Sequence, residues 1–279
     1  MERIKQALDR TKKFSGEMEV SPPPNIGMRK FTPETQPDLS HQELESINYS
    51  NTSVVTLKME HLEKNRIVAF NKSDAMSMNF DLLRTQVLQK MKENGWRTLA
   101  ITSPAPEAGK TVVAINLAMS IAQQTDKTAM LVDFDLRRPK IGTYLGLPME
   151  KSLNDLLNGT ADLSEVLVNP DIPRLVVLAT KKPVLKSSET LSSKKIADLI
   201  KELRERYESR IVIFDLPPVL VIDDALALLP QIDCVLLVVA NGMSTKQEIE
   251  DSLRHLPKEK LLGTVFNKAE IQPADHYYY

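Results

Sequence analysis

Thr98-Leu99-Ala100-Ile101-Thr102, followed by Ser103-Pro104-Ala105-Pro106-Glu107-Ala108-Gly109-Lys110-Thr111 and then by the apolar-periodic stretch Val112 to Gln124, is the passage that decides the fold. A short run of strand character leads into a loop ending Gly-Lys-Thr, and helical spacing begins directly after it. That is the context in which such a loop cradles phosphate. Backbone N–H groups curl around the oxygens, the helix N-terminus adds partial positive charge, a lysine neutralises the β and γ oxygens, and a hydroxyl reaches magnesium. Lys110 and Thr111 are therefore the expected phosphate and metal groups, with Pro106, Glu107, Ala108, Gly109 and Val112 as the surrounding nucleotide-binding positions. The usual loop opens with glycine where this one has Pro104, so only Gly109 is expected to take left-handed angles cheaply. Read alone, the tripeptide fits an ordinary turn as well, and the acids further along decide between the two.

Outward from this passage, short apolar runs alternate with longer helix-period segments, the pattern of β-α units feeding a parallel sheet. The runs are Thr98 to Thr102, Thr128 to Val132, Arg174 to Ala179, Arg210 to Phe214, Cys234 to Ala240 and Leu261 to Phe266. Val112 to Gln124 and Leu191 to Tyr207 have the periodicity of helices that cover sheet faces. The expected fold is α/β, a doubly wound, mostly parallel sheet flanked by helices, of the P-loop NTPase type with deviant Walker motifs. Ligands of such a sheet bind outside the carboxyl ends of its strands. Before it lie an amphipathic helix over residues 1–14 and a Pro-rich linker and lead-in over 15–75, a largely unstructured extension. The nucleotide domain is expected over 76–268 and a tail over 269–279.

Met130-Leu131-Val132-Asp133-Phe134-Asp135 places two acids at the end of one strand, and Arg210-Ile211-Val212-Ile213-Phe214-Asp215 places a third at the end of another. One such acid commonly caps the next helix. Three converging on one Gly-Lys-Thr loop fit a magnesium site better, because magnesium keeps several waters and carboxylates hold them. Asp223 and Asp224 read instead as a helix cap and a surface charge.

Lys plus Arg total 36 against 37 Asp plus Glu, so charge gives no reason to expect nucleic acid as a partner. Cys234 is the single cysteine and lies in an apolar run, which fits a reducing cytoplasm. No stretch approaches the roughly 18 apolar residues of a membrane span. Membrane association is expected only at the periphery or through a partner, with the basic residues of the first helix as a candidate dock.

Leu131-Val132-Asp133-Phe134-Asp135-Leu136-Arg137-Arg138-Pro139 resembles the Walker A′ motif, and Ile213-Phe214-Asp215-Leu216-Pro217-Pro218-Val219-Leu220 the Walker B segment, of the bacterial tyrosine kinases of exopolysaccharide and capsule loci. The Gly-Lys-Thr loop and the terminal Tyr277-Tyr278-Tyr279 are similar to that family's phosphate loop and C-terminal tyrosine cluster. The resemblance spans about residues 76 to 279. It implies a cytoplasmic autokinase using ATP and Mg2+, peripheral to the inner membrane and stimulated by a membrane-anchored polysaccharide co-polymerase or chain-length determinant protein. A cognate tyrosine phosphatase is a further implied partner. Lys110, Asp133 and Asp135 would form the catalytic set, with Asp133 accepting the tyrosine proton. Thr111, Asp135 and Asp215 would hold magnesium and its waters. Tyr277, Tyr278 and Tyr279 would be the phosphoacceptors, presented by a neighbouring subunit.

Some positions carry two readings. Arg137 and Arg138 serve phosphate or subunit contacts, or are surface ion pairs. Asn267 contacts adenine or forms a turn, and Tyr144 and Tyr207 read as packing residues. The family's loop commonly runs Pro-Gly-Glu-Gly-Lys, whereas Pro106 here precedes Glu107 and Ala108. Its E-x-x-R-x-x-R assembly segment falls on Met78, Asp81 and Arg84, agreeing only at Arg84. Glu107 and Ala108 support a nucleotide-binding adaptor that transfers little phosphate. A partition-type switch ATPase would carry a lysine where Ala105 stands.

Overall fold

Strands apolar at every position require a sheet covered on both faces. In the computed structural model, which describes residues 52–124 and 127–269, Thr98–Thr102, Thr128–Asp133 and Cys234–Ala240 are buried along their whole lengths. In chain order the elements are β1 (Ser53–Val54), α1 (Met59–Lys64), α2 (Ala75–Asn94), β2 (Thr98–Thr102), α3 (Lys110–Gln124), β3 (Thr128–Asp133), α4 (Ile141–Leu145), α5 (Leu153–Asn158) and α6 (Leu163–Val166). Then follow β4 (Val168–Asn169), β5 (Leu175–Leu178), α7 (Ser187–Leu191), α8 (Lys194–Glu205), β6 (Arg210–Asp215), α9 (Asp224–Leu228), β7 (Cys234–Ala240), α10 (Lys246–His255) and β8 (Leu261–Asn267).

The sheet order is β1-β4-β5-β3-β6-β2-β7-β8, and every pairing is parallel except β4 with β5. Side chains alternate between faces along each strand. Leu99, Ile101, Leu131 and Ile213 thus pack under α2 and α3 with Val87, Met91 and Ile115. Ala100, Val132, Val212 and Phe214 pack under α8 with Ile196, Leu199 and Leu203. The helical stretch expected over Leu191 to Tyr207 is divided at Ser192 and Ser193. Ser193 leaves the helix in extended conformation and its hydroxyl caps α8 through the Ile196 N–H, because serine competes for backbone donors at a helix start.

Part of the expected lead-in is integral to the fold. β1 pairs with β4, Ser53 opposite Val168, and Leu62, Ile67 and Ala69 are buried in the core. One side chain fastens this segment to the helix after the phosphate loop. The Asn116 carbonyl oxygen accepts from the Val68 and Ala69 N–H groups at 2.7 and 2.9 Å. Its amide donates to the Arg66 and Val112 carbonyls at 3.0 and 2.9 Å. A buried amide with all these groups satisfied locks register between segments far apart in the chain. The amphipathic helix over residues 1–14, the linker's first part and Tyr277 to Tyr279 lie outside the described residues. Among the described residues, no helix is long and apolar enough to cross a membrane.

Candidate nucleotide and phosphoryl-transfer site

β2 stands between β6 and β7, so the loop that leaves it opens at the centre of the sheet's carboxyl edge. β3 and β6 pair in register from Thr128 opposite Arg210 to Asp133 opposite Asp215. That register sets two carboxylates side by side, with the rings of Phe134 and Phe214 stacked 5.2 Å apart beside them. Lys110, the first residue of α3, extends its ammonium to Asp135 Oδ2 at 2.7 Å and Asp215 Oδ1 at 3.4 Å. The Thr111 hydroxyl donates to Asp215 Oδ2 at 2.6 Å. The expected loop cation, hydroxyl and acids are therefore brought together. Burial alone would lower the Lys110 ammonium, but the Asp215 and Asp135 carboxylates outweigh it and raise it.

Asp133 is held differently. Its Oδ2 accepts the N–H groups of Lys140 and Ile141, each at 3.0 Å, while its buried Oδ1 has no partner. Burial first, and then the neighbouring Asp215, push its carboxyl well above the ordinary range. Burial also raises Asp215, against the opposing pull of Lys110 and Thr111. Asp135 lines the open cavity beside the loop, and Asp133 does not.

The loop takes its shape from two left-handed residues. Gly109 has φ 92°, and a Cβ there would meet the Asn267 Nδ2 at 2.2 Å. Glu107 has φ 64°, contrary to the expectation that only Gly109 adopts this region. Asn267, at the end of β8, donates to the Ala108 carbonyl at 2.8 Å, so its amide tethers the loop itself. Pro106, Glu107, Gly109, Lys110, Thr111 and Val112 line the cavity, whose volume is about 1090 Å³.

Several surrounding residues depart from expectation. Asp224 is buried, not a surface charge. It receives the Ser188 hydroxyl and faces Arg137 Nε at 3.4 Å, because α7 closes over the start of α9. Asp223 occupies the cap position of α9 but caps nothing with its side chain, accepting instead from Ser188 at 2.8 Å. Asp81 pairs with Arg84 and Lys72 at 3.0 Å each and accepts from the Ser120 hydroxyl at 2.6 Å, contacts within the chain. Tyr207 lies under the Arg210 guanidinium at 4.1 Å, whereas Tyr144 both packs on the core and lines the cavity.

Residues 97–258, more than half of the chain, match the family described as AAA domain (AAA_31). The chain is 32% identical over 178 residues to the tyrosine-protein kinase CpsD of Streptococcus pneumoniae, covering 63% of this chain and 77% of that protein. The chain belongs to the bacterial tyrosine-protein kinase family. A second member, the tyrosine-protein kinase ptk of Acinetobacter johnsonii, is 31% identical over 214 residues. That alignment takes in 75% of this chain but 29% of the longer protein. The kinase domain of the Escherichia coli tyrosine kinase ETK superposes with a TM-score of 0.69 at 25% identity, covering 86% of this chain and 97% of that one. For this member of the family, P-loop nucleotide chemistry thus joins a tyrosine-kinase sequence.

Sequence reasoning missed the cavity's outer walls. Lys64, Arg66, Lys140 and Lys181 line it, and nothing in their local sequence marks them. Asn116 did carry a signal, since it is the one polar residue in the stretch from Val112 to Met119 of α3.

Proposed function

We propose that the chain is an ATP-dependent protein-tyrosine autokinase that phosphorylates Tyr277, Tyr278 and Tyr279 and regulates exopolysaccharide synthesis, chain length or export. The observation that carries this reading is the convergence of Lys110, Thr111, Asp135 and Asp215, with the orphaned Oδ1 of Asp133 beneath them. The transfer forms a bond from the tyrosine oxygen to the γ phosphorus and breaks the bond to the bridging oxygen, which leaves with ADP. The phenolic proton goes to Asp133. A carboxyl pushed upward by burial is a stronger base once ionised, and its free oxygen is the acceptor atom. Asp133 lies outside the cavity lining, so the acceptor reaches its Oδ1 only after the side chains above it rearrange. Lys110 and the loop amides neutralise the transferring phosphoryl group, and phosphoryl transfer depends mainly on such positioning.

The donor set suits magnesium. A hydroxyl and carboxylates supply only oxygens, and magnesium is usually held by one or two carboxylates plus substrate phosphates. Thr111 would ligate it directly, with Asp135 and Asp215 holding its waters. Bound there, it would neutralise β and γ oxygens. Asn267 would meet adenine by releasing Ala108.

The family resemblance supports a membrane-anchored co-polymerase or chain-length determinant as the activating partner, a cytoplasmic place at the inner membrane, and a cognate phosphatase. Incubating the purified protein with Mg-ATP and mapping phosphate by mass spectrometry tests the central reading. Phosphotyrosine in the tail is the expected result, and ADP release without it would overturn the kinase reading.

A further inference from the structure

The cavity slightly exceeds the ordinary small-ligand range, and its walls carry more positive charge than the phosphate loop engages. Lys64, Arg66, Arg138, Lys140 and Lys181 line it, and all are exposed. Among the described residues, none of these cations makes an ion pair with a carboxylate. The whole chain has a net charge of −1, so this concentration is local.

Sheet order separates these cations from the Asn267 end. Asn267 closes β8 and touches the loop at Ala108. Arg138 and Lys140 follow β3, and Lys181 follows β5, on the opposite side of β2. Lys64 and Arg66 are drawn to that same side because α1 is tied to α4, His61 Nε2 lying 2.8 Å from the Thr143 carbonyl. Arg66 is further fixed by the Asn116 clamp in a left-handed conformation, φ 58°. Such strain persists only where the surroundings impose it. With Asn267 meeting adenine as proposed above, a nucleotide lying from Asn267 to Lys110 would turn its γ-phosphate toward these cations, with Lys268 the lining cation at its other end.

We propose that this wall is the acceptor-peptide subsite and that it selects tyrosines flanked by acidic residues. The inference rests on the phosphoryl-transfer reading above and names its substrate class. Residues 269–279 carry Glu270 and Asp275 and no Lys or Arg, so the tail of a second copy meets the requirement. Lys140 and Lys181 set the preference by charge, without touching the reacting atoms.

The test uses the full chain with a non-hydrolysable Mg-ATP analogue. The probes are two fluorescein-labelled peptides, each with one tyrosine, flanked by glutamates in one and lysines in the other. Anisotropy should show the wild type favouring the acidic peptide. Lys140→Gln with Lys181→Gln should weaken that complex by about tenfold, at two- to fivefold per exposed charge, while affinity for the analogue stays within about twofold. Lys140→Glu with Lys181→Glu should move the preference to the basic peptide, and melting curves check that each variant is folded. Equal binding of both peptides by the wild type, or analogue affinity falling in step with peptide affinity, overturns the subsite. With ATP in place of the analogue, selective peptide binding without tyrosine labelling would uphold the subsite and sink the kinase reading instead.

Discussion

Lys110 is the cation that both Asp135 and Asp215 share, so its loss has two consequences. Lys110→Met should lower autophosphorylation by on the order of 100-fold or more, as expected when transition-state charge goes unneutralised. It should also raise the proton affinity of Asp215, whose carboxyl Lys110 holds down against the effect of burial. Unchanged labelling in a folded Lys110→Met protein would contradict the site. Asp133 has the opposite balance of stability and function. Its carboxyl is raised above the ordinary value of 3.8 by burial and by Asp215, so folding favours its protonated form. That stabilisation is fully present below the ordinary value and is lost as pH rises through the raised one. Asp133→Asn should therefore abolish transfer yet melt higher than the wild type, with a gap that widens from acid to neutral pH. Each kcal/mol recovered is worth about 2–4 °C in Tm for a chain of this size. A gap that narrows with rising pH would contradict the ionisation argument.

At the scale of elements, the phosphate loop holds Glu107 in the left-handed region, where a non-glycine residue costs about 1–3 kcal/mol. It also sets a carboxylate at the cavity's edge. Glu107→Gly should relieve that strain and remove a like charge near phosphate. Titration calorimetry is expected to show Mg-ATP affinity rising about two- to fivefold, equivalent to roughly 0.5–1 kcal/mol. Tighter folding with no gain in affinity would mean that the acid's charge does not reach the phosphates. Asn116 joins the lead-in to α3 through hydrogen bonds at both its oxygen and its nitrogen. Asn116→Ala strands buried backbone donors, at a cost of about 2–4 kcal/mol. Denaturant unfolding measures that loss, and hydrogen exchange should speed up first at Val68 and Ala69.

For the molecule as a whole, the proposed transfer to Tyr277, Tyr278 and Tyr279 can run within one copy or between two. Ordering the tail costs about 1–2 kcal/mol per residue whichever site it enters, so that cost does not favour its own cavity over a second molecule's. Mixing an inactive Lys110→Met chain with an active chain whose Tyr277, Tyr278 and Tyr279 are phenylalanine separates the two routes. Phosphate should appear on the tail of the inactive chain. Its complete absence, with the wild type still labelled, would falsify transfer between molecules.

What the sequence by itself determined were features written within a few neighbouring residues. The strand Thr98 to Thr102, the Gly109-Lys110-Thr111 turn and the acids closing β3 and β6 were legible because strand and helix periodicities and strand-end acids are local patterns. Only the tertiary structure decided which of those groups meet. The in-register pairing of Asp133 with Asp215 makes a buried carboxylate cluster and leaves Asp133 behind the cavity lining. The closure of α7 over α9 turns Asp224 from an apparent surface charge into a buried partner of Arg137. The lead-in read as linker because its Leu62, Ile67 and Ala69 are few and scattered, yet the Asn116 clamp draws them into the core. The cationic wall is drawn from Lys64, Arg66, Arg138, Lys140 and Lys181 on segments remote in sequence. No local spacing records such an assembly, because the order of strands in the sheet brings its members to one face.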